Sequence, residues 1–185
     1  MKSESDSILS LCNAALKLLA CPPASSMNPN GSREERCCCM FYETVRKEVL
    51  CEVPWPFAVR RAVLESSEPE EWGCHPVPAR AHALPDDCLK VLRVRADWWV
   101  CRGRLVFARR SPLLCSYVCD CRDLRRCDAR FKRALILKLA YAMSRPLGAE
   151  REVREMLLMN FRHATEHLRV SHGVKSVNNF FDGLF

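Results

Sequence analysis

Apolar residues recur at helical spacing in four stretches of the chain and in strand-like runs in one long stretch between them. Ile8, Leu11, Cys12, Ala15, Leu16 and Leu19 share one face of a helix over about 6–20, with Ser5 or Asp6 as its cap and Pro22-Pro23 as its stop. Residues 22–32, rich in Pro, Ser, Asn and Gly, form a loop. A second helix over about 32–50 opens at Ser32, with Glu35 at the capping-box position. Its buried stripe is Cys37 or Cys38 with Phe41, Val45 and Val49, while Arg36, Glu43, Arg46 and Lys47 face outward. Pro54-Trp55-Pro56-Phe57-Ala58 breaks that helix. Residues 58–65 read as a short helical or extended segment. Residues 66–83, with Glu68, Glu70, Glu71 and three prolines, read as loop.

From Leu84 to Cys119 the pattern is β, with strands at 89–94, 98–101, 104–108 and 113–119 and a tight turn at Arg102-Gly103. Alternation is imperfect in the first of these, which predicts a bulge or a sheet covered on both sides. Asp128 caps a helix over about 129–144 with Phe131, Leu135, Leu139 and Ala142 inward, and Pro146 and Gly148 end it. A last helix over about 149–170 has Val153, Met156, Leu157, Phe161, Ala164 and Leu168 in register, and Gly173 terminates it. The order α-α-β-β-β-β-α-α predicts an α+β fold. The expected form is a four-helix bundle core with a small antiparallel sheet, at about 84–119, inserted between the two helix pairs and followed by an extended C-terminal tail.

Composition narrows the class. With 185 residues, 49% hydrophobic and 28% charged, the chain suits one compact domain or a small core with an arm, and it excludes wholesale disorder. The longest apolar run, 134–143, is cut by Lys138, so no membrane partner is expected. Leu18-Leu19-Ala20-Cys21 has the letters of a lipoprotein cleavage box. The acidic Glu4 and Asp6, and the interrupting Asn13 and Lys17, favour an amphipathic helix instead. Thirteen cysteines, odd in number and dispersed, read as small hydrophobes of a reduced cytoplasmic core rather than a disulfide scaffold.

Candidate chemistry is sparse. Cys115, Cys119, Cys121 and Cys127 crowd together, but they lack the two paired knuckles of a structural zinc site, and Cys74-His75 has no second knuckle. A zinc-stabilised module is therefore the weakest reading, and no metal or other cofactor is expected. The five histidines carry no nucleophile signature. His163 and His167 do not form the zinc-protease spacing, and the six glycines form no phosphate loop, so the chain is not expected to be an enzyme. Arginine is another matter. Arg93, Arg95, Arg102, Arg104, Arg109 and Arg110 decorate the sheet, and Arg122, Arg125, Arg126, Arg130, Lys132 and Arg133 cluster before and into the third helix, within a net charge of +7. Such a face suits another subunit, or nucleic-acid phosphates without sequence reading, as in a basic nucleic-acid-binding accessory protein. Phe180, Phe181, Leu184 and Phe185 end the chain. Burying them is worth roughly 1.5–3 kcal/mol each, which points to docking on the protein's own core or on another chain.

Several segments, taken in order, resemble the tail tubular protein A family, the head-to-tail adaptors of short-tailed bacteriophages. They are Ile8–Leu16, Tyr42 and Arg46 ahead of Trp55-Pro56-Phe57-Ala58, Leu84-Pro85-Asp86-Asp87-Cys88-Leu89-Lys90-Val91, Tyr117 with Asp120, Phe131 with Ala134-Leu135, Leu139-Ala140 and Ala164. Trp55, Phe57, Leu84, Pro85 and Asp86 form a family-like structural motif. Cys127-Asp128-Ala129-Arg130 departs from the expected aromatic-Asp-Pro helix start. The resemblance implies a virion structural protein, assembled in the host cytoplasm. It would form a homo-oligomeric ring, dodecameric in size, between the portal protein and a tail nozzle, with genomic DNA passing through the channel. On that basis residues 1–173 form the adaptor domain and 174–185 a tail that docks on the portal through its phenylalanines and Leu184. The implied place of Arg122, Arg125, Arg126, Arg130 and Arg133 is a subunit contact or the channel wall.

Overall fold

Small polar residues start the two helices around which the core forms. Ser32 stands in extended conformation before α2 (Arg33–Glu52). Its hydroxyl accepts from the Glu35 N–H, and the Glu35 carboxylate accepts from the Ser32 N–H, which closes a capping box. Asp128 accepts from the Phe131 N–H at 2.7 Å and so opens α3 (Ala129–Ser144). The computed structural model describes residues 4–70 and 79–171, in which α1 is Glu4–Leu18 and α4 is Arg151–Ser171. Each helix end lies within two residues of the position that periodicity predicts. A left-handed Ala20 and a bond from the Cys21 N–H to the Leu16 carbonyl (3.1 Å) close α1 just before the two prolines.

After a single 3-10 turn at Pro56–Ala58, the chain forms seven strands: β1 (Val59–Leu64), β2 (Ser66–Glu70), β3 (Ala79–Ala83), β4 (Cys88–Val94), β5 (Trp99–Arg102), β6 (Leu105–Ala108) and β7 (Leu113–Cys119). They make two antiparallel sheets, a three-stranded one in the order β1-β7-β4 and a four-stranded one in the order β2-β3-β6-β5. The three strands of the first sheet are separated in sequence by the two hairpins of the second, β2–β3 and β5–β6. Only Glu65 lies between β1 and β2. Gly103 takes a φ of +55° in the turn of the β5–β6 hairpin, a conformation costly for any residue with a Cβ. Pairing shifts between Cys88 and Lys90 and between Val91 and Arg93 put bulges in β4, where alternation is imperfect.

The expected four-helix bundle with one inserted sheet does not form. Three strands arise from residues 58–83, where the sequence favours a loop or leaves helix and strand open, and β4–β7 divide between the two sheets instead of sharing one. The reason is visible in the strands. β1 is an edge strand that buries only Leu64, so it shows no alternation. β2 carries Pro69 on an edge strand, where a missing N–H is tolerated, and β3 is built from Ala, Arg and His. The helices also pack differently. α1, α2 and α4 each lie against α3, whereas α1 and α2 touch only sparsely. α3 is therefore buried round most of its circumference, through Phe131, Ala134, Leu135, Leu137, Leu139, Ala140 and Met143. Three individual placements are corrected with this. Arg46, expected outward, has no solvent exposure, and Tyr42 rather than Phe41 is the fully buried aromatic of α2. Met156, expected inward, is 47% exposed because α3 meets α4 along Val153, Leu157, Phe161 and Ala164.

Candidate assembly interface

Several of the segments singled out in the sequence share one hydrophobic core. Trp55 is fully buried and donates from Nε1 to the Val49 carbonyl at 2.7 Å, which ties the proline segment to the last turn of α2. The rings of Trp55 and Phe57 both stand edge-on to Phe131 of α3, with centroids 5.2 Å apart in each pair. Leu84 is buried, and its N–H donates to the Arg104 carbonyl at 2.9 Å, while the Arg104 guanidinium donates to the carbonyls of Leu84, Pro85 and Cys88. Asp86 is exposed, 3.9 Å from Arg104. Next to it Asp87 accepts from the Tyr117 hydroxyl at 3.0 Å and from Arg60 Nη1 at 2.7 Å, so one carboxylate joins β1, β7 and the entrance to β4. Burial, and then the hydrogen bond and charge of Asp87, push the Tyr117 phenol up to about 12.

The arginine cluster is built from the core outward. Arg46 Nη1 donates to the Cys121 carbonyl at 2.9 Å and lies 2.6 Å from Asp120 Oδ1, while Nη2 donates to Glu43 at 2.8 Å. Asp120 Oδ2 faces Arg122 at 3.5 Å. Burial of Asp120 opposes its ionisation, but contact with Arg46 and its charge outweigh that and hold the carboxyl below its ordinary range. A buried cation thus fixes the start of the loop that runs from β7 to α3. On that loop and the first turns of α3, the side chains of Arg122, Arg125, Arg126, Arg130 and Arg133 are all exposed. Arg125 makes a bidentate pair with Asp123 at 2.9 and 3.2 Å, and Asp128 is engaged as the helix cap. Apart from that cap, the first turn of α3 carries no acid, so arginines stand at the positive end of its dipole, an arrangement that favours an anionic partner over the isolated chain.

No protein-family profile matches the sequence, and no curated protein matches it. Its own side chains therefore carry the functional reading.

The crowded cysteines separate in the fold. Cys121 and Cys127 approach each other at the base of the arginine loop, while Cys115 lies on β7 near Cys88 and Cys101. Among the described residues, no three or more His, Cys, Asp or Glu side chains gather as a metal site, and no helix is long and apolar enough to cross a membrane. The triplet on α2 resolves into three environments. Cys38 is fully buried against Cys12 of α1, Cys37 is nearly so, and Cys39 is half-buried. The hydrogen bond between Cys12 and Cys38 pushes the Cys12 thiol up and the Cys38 thiol down. Phe180, Phe181, Leu184 and Phe185, with the whole 174–185 tail, lie outside the described residues.

Sequence reasoning missed Arg46 and the Asp87–Tyr117–Arg60 group. The first had a signal: Arg46 is four residues after Tyr42 and next to Val45, on the very stripe that turns inward. The second joins residues 27 and 30 positions apart and had none.

Proposed function

We propose that this protein is a head-to-tail adaptor of a tailed bacteriophage. It would be a virion component that assembles in the host cytoplasm as a dodecameric ring between the portal and a tail nozzle, with DNA passing through the ring. The observation that carries the reading is the meeting of the family-like segments: Trp55 and Phe57 close on Phe131, and Asp87 on Tyr117. The exposed arginines suit the same role, because a ring uses heterologous contacts and needs two unlike sides on each subunit. The test is to mix the purified protein with its portal and measure mass in solution. A ring-scale complex is expected, and a protein that stays monomeric with both portal and nozzle overturns the reading.

The same five arginines favour a second reading, a nucleic-acid-binding accessory protein. It predicts duplex affinity that falls steeply with salt in the absence of any portal; negligible binding at moderate salt removes it.

A further inference from the structure

Cys121 and Cys127 stand at the two ends of the arginine loop, the first just after β7 and the second just before the Asp128 cap of α3. Their side chains turn under the loop toward a single acceptor. Cys121 Sγ lies 3.9 Å from the Asp123 carbonyl oxygen, and Cys127 Sγ lies 3.6 Å from the same oxygen. The loop backbone is folded so that this convergence is built in: the Arg126 N–H donates to the Asp123 carbonyl at 3.1 Å and the Cys127 N–H to the Leu124 carbonyl at 3.3 Å. Both cysteines are 5% exposed, beneath arginines that are open to solvent.

We propose that Cys121 and Cys127 form a latent intramolecular disulfide, a modification site that staples the arginine loop shut when the protein meets an oxidising medium. The oxidant class is a small-molecule disulfide such as oxidised glutathione. One cysteine thiolate attacks a sulfur of the oxidant, whose S–S bond breaks and releases one small thiol. The other cysteine thiolate then attacks the protein-bound sulfur of the mixed disulfide, which expels the second small thiol as the protein S–S bond forms. Two protein thiols are oxidised and one small disulfide is reduced to two thiols. The reaction is slow, because burial, and then the charge of Cys121 and a hydrogen bond with it, push the Cys127 thiol up to about 12 and leave little thiolate at neutral pH. The closed loop is short, so it removes less chain entropy than a long one would, and its most direct effect is local order in Arg122, Arg125 and Arg126. Cys12 and Cys38 are another close pair and Cys88 stands across from Cys119, but Cys12, Cys38 and Cys119 are each more enclosed than either loop cysteine.

The loop supplies its own assay, since trypsin cuts after Arg122, Arg125, Arg126 and Arg130. The folded full-length chain is incubated with oxidised glutathione at mildly alkaline pH, quenched with a maleimide and digested without reductant. Peptide 127–130 is expected to appear joined to peptide 111–122, with fragment ions placing the bridge at Cys121 and the intact mass lower by two hydrogens. Recovery of 127–130 alone, capped by maleimide or glutathione, overturns the proposal. So does a bridge from Cys127 to any other cysteine. The mapping uses the natural sequence, so no variant has to fold; Cys121→Ser and Cys127→Ser should each abolish the joined peptide.

Discussion

Arg46 Nη1 lies 2.6 Å from Asp120 Oδ1, and the arginine side chain has no exposure to solvent. The pair connects the middle of α2 to the first residue after β7, 74 positions away by its numbering, so it fixes where the arginine loop begins. Removing one partner strands the other in a low-dielectric site. Arg46→Met is expected to lower unfolding free energy by about 3–5 kcal/mol in urea titrations. The double variant with Asp120→Asn should lose less than the sum of the two single variants, which reports their coupling.

Glu35 accepts from the side chains of Ser25 and Ser26 and from the N–H groups of Ser26 and Ser32. The Ser25 hydrogen bond first, and then those from Ser32 and Ser26, hold its carboxyl at about 2 in place of 4.5. Because the folded value is the lower one, the stabilisation is present above pH 4.5 and is lost as pH falls toward about 2. The urea midpoint should drop across that window, and Glu35→Gln should flatten the drop. Gly31→Ala belongs with it, since a Cβ there would overlap Glu35 Oε2.

Trp55, Phe57 and Phe131 form an aromatic junction between the proline segment and α3. Trp55→Ala or Phe131→Ala should cost about 3–5 kcal/mol, with the tryptophan change also leaving the Val49 carbonyl without its donor. Phe57 is only half-buried, so Phe57→Ala should cost less than either. Denaturant midpoints of the three variants give the order.

Charge reversal at the loop separates folding from assembly. Arg126→Glu, Arg130→Glu and Arg133→Glu change exposed side chains outside the Arg46–Asp120 network, so each should shift stability by no more than about 0.5 kcal/mol. Combined, they should abolish the ring-scale complex with portal. If duplex DNA is the partner instead, neutral glutamine replacements should reduce the log–log salt slope by about 0.9 for each phosphate no longer neutralised.

Deletion of residues 174–185 should remove portal capture and leave the thermal midpoint of the remaining chain unchanged. Capture that survives the deletion assigns portal binding to another part of the chain.

What could be read from the sequence divides along a physical line. Caps and helical stripes are local, so Ser32, Glu35 and Asp128 mark helix starts that the fold keeps. The β4–β7 strands are also local, set by alternation and by Gly103. Sheet partnership is not local. Nothing in Val59–Leu64 shows that it pairs with Leu113–Cys119 about fifty residues on, and an exposed edge strand carries no burial pattern to betray it. Arg46 shows a different gap. Charge alone argues for solvent, and only its two carboxylate partners and the Cys121 carbonyl make burial affordable. The cysteine triplet reads as a puzzle in one dimension and as ordinary helix geometry in three, with one residue in the core, one beside it and one at its edge.

Strand order gives the four-stranded sheet a mechanical character. The chain leaves the three-stranded sheet after β1, returns at β4, leaves again and returns at β7, so four covalent crossings tether the outer sheet to the inner one. Parting the two sheets would therefore have to strain connections at four places, where a single linker would leave the second sheet free to swing.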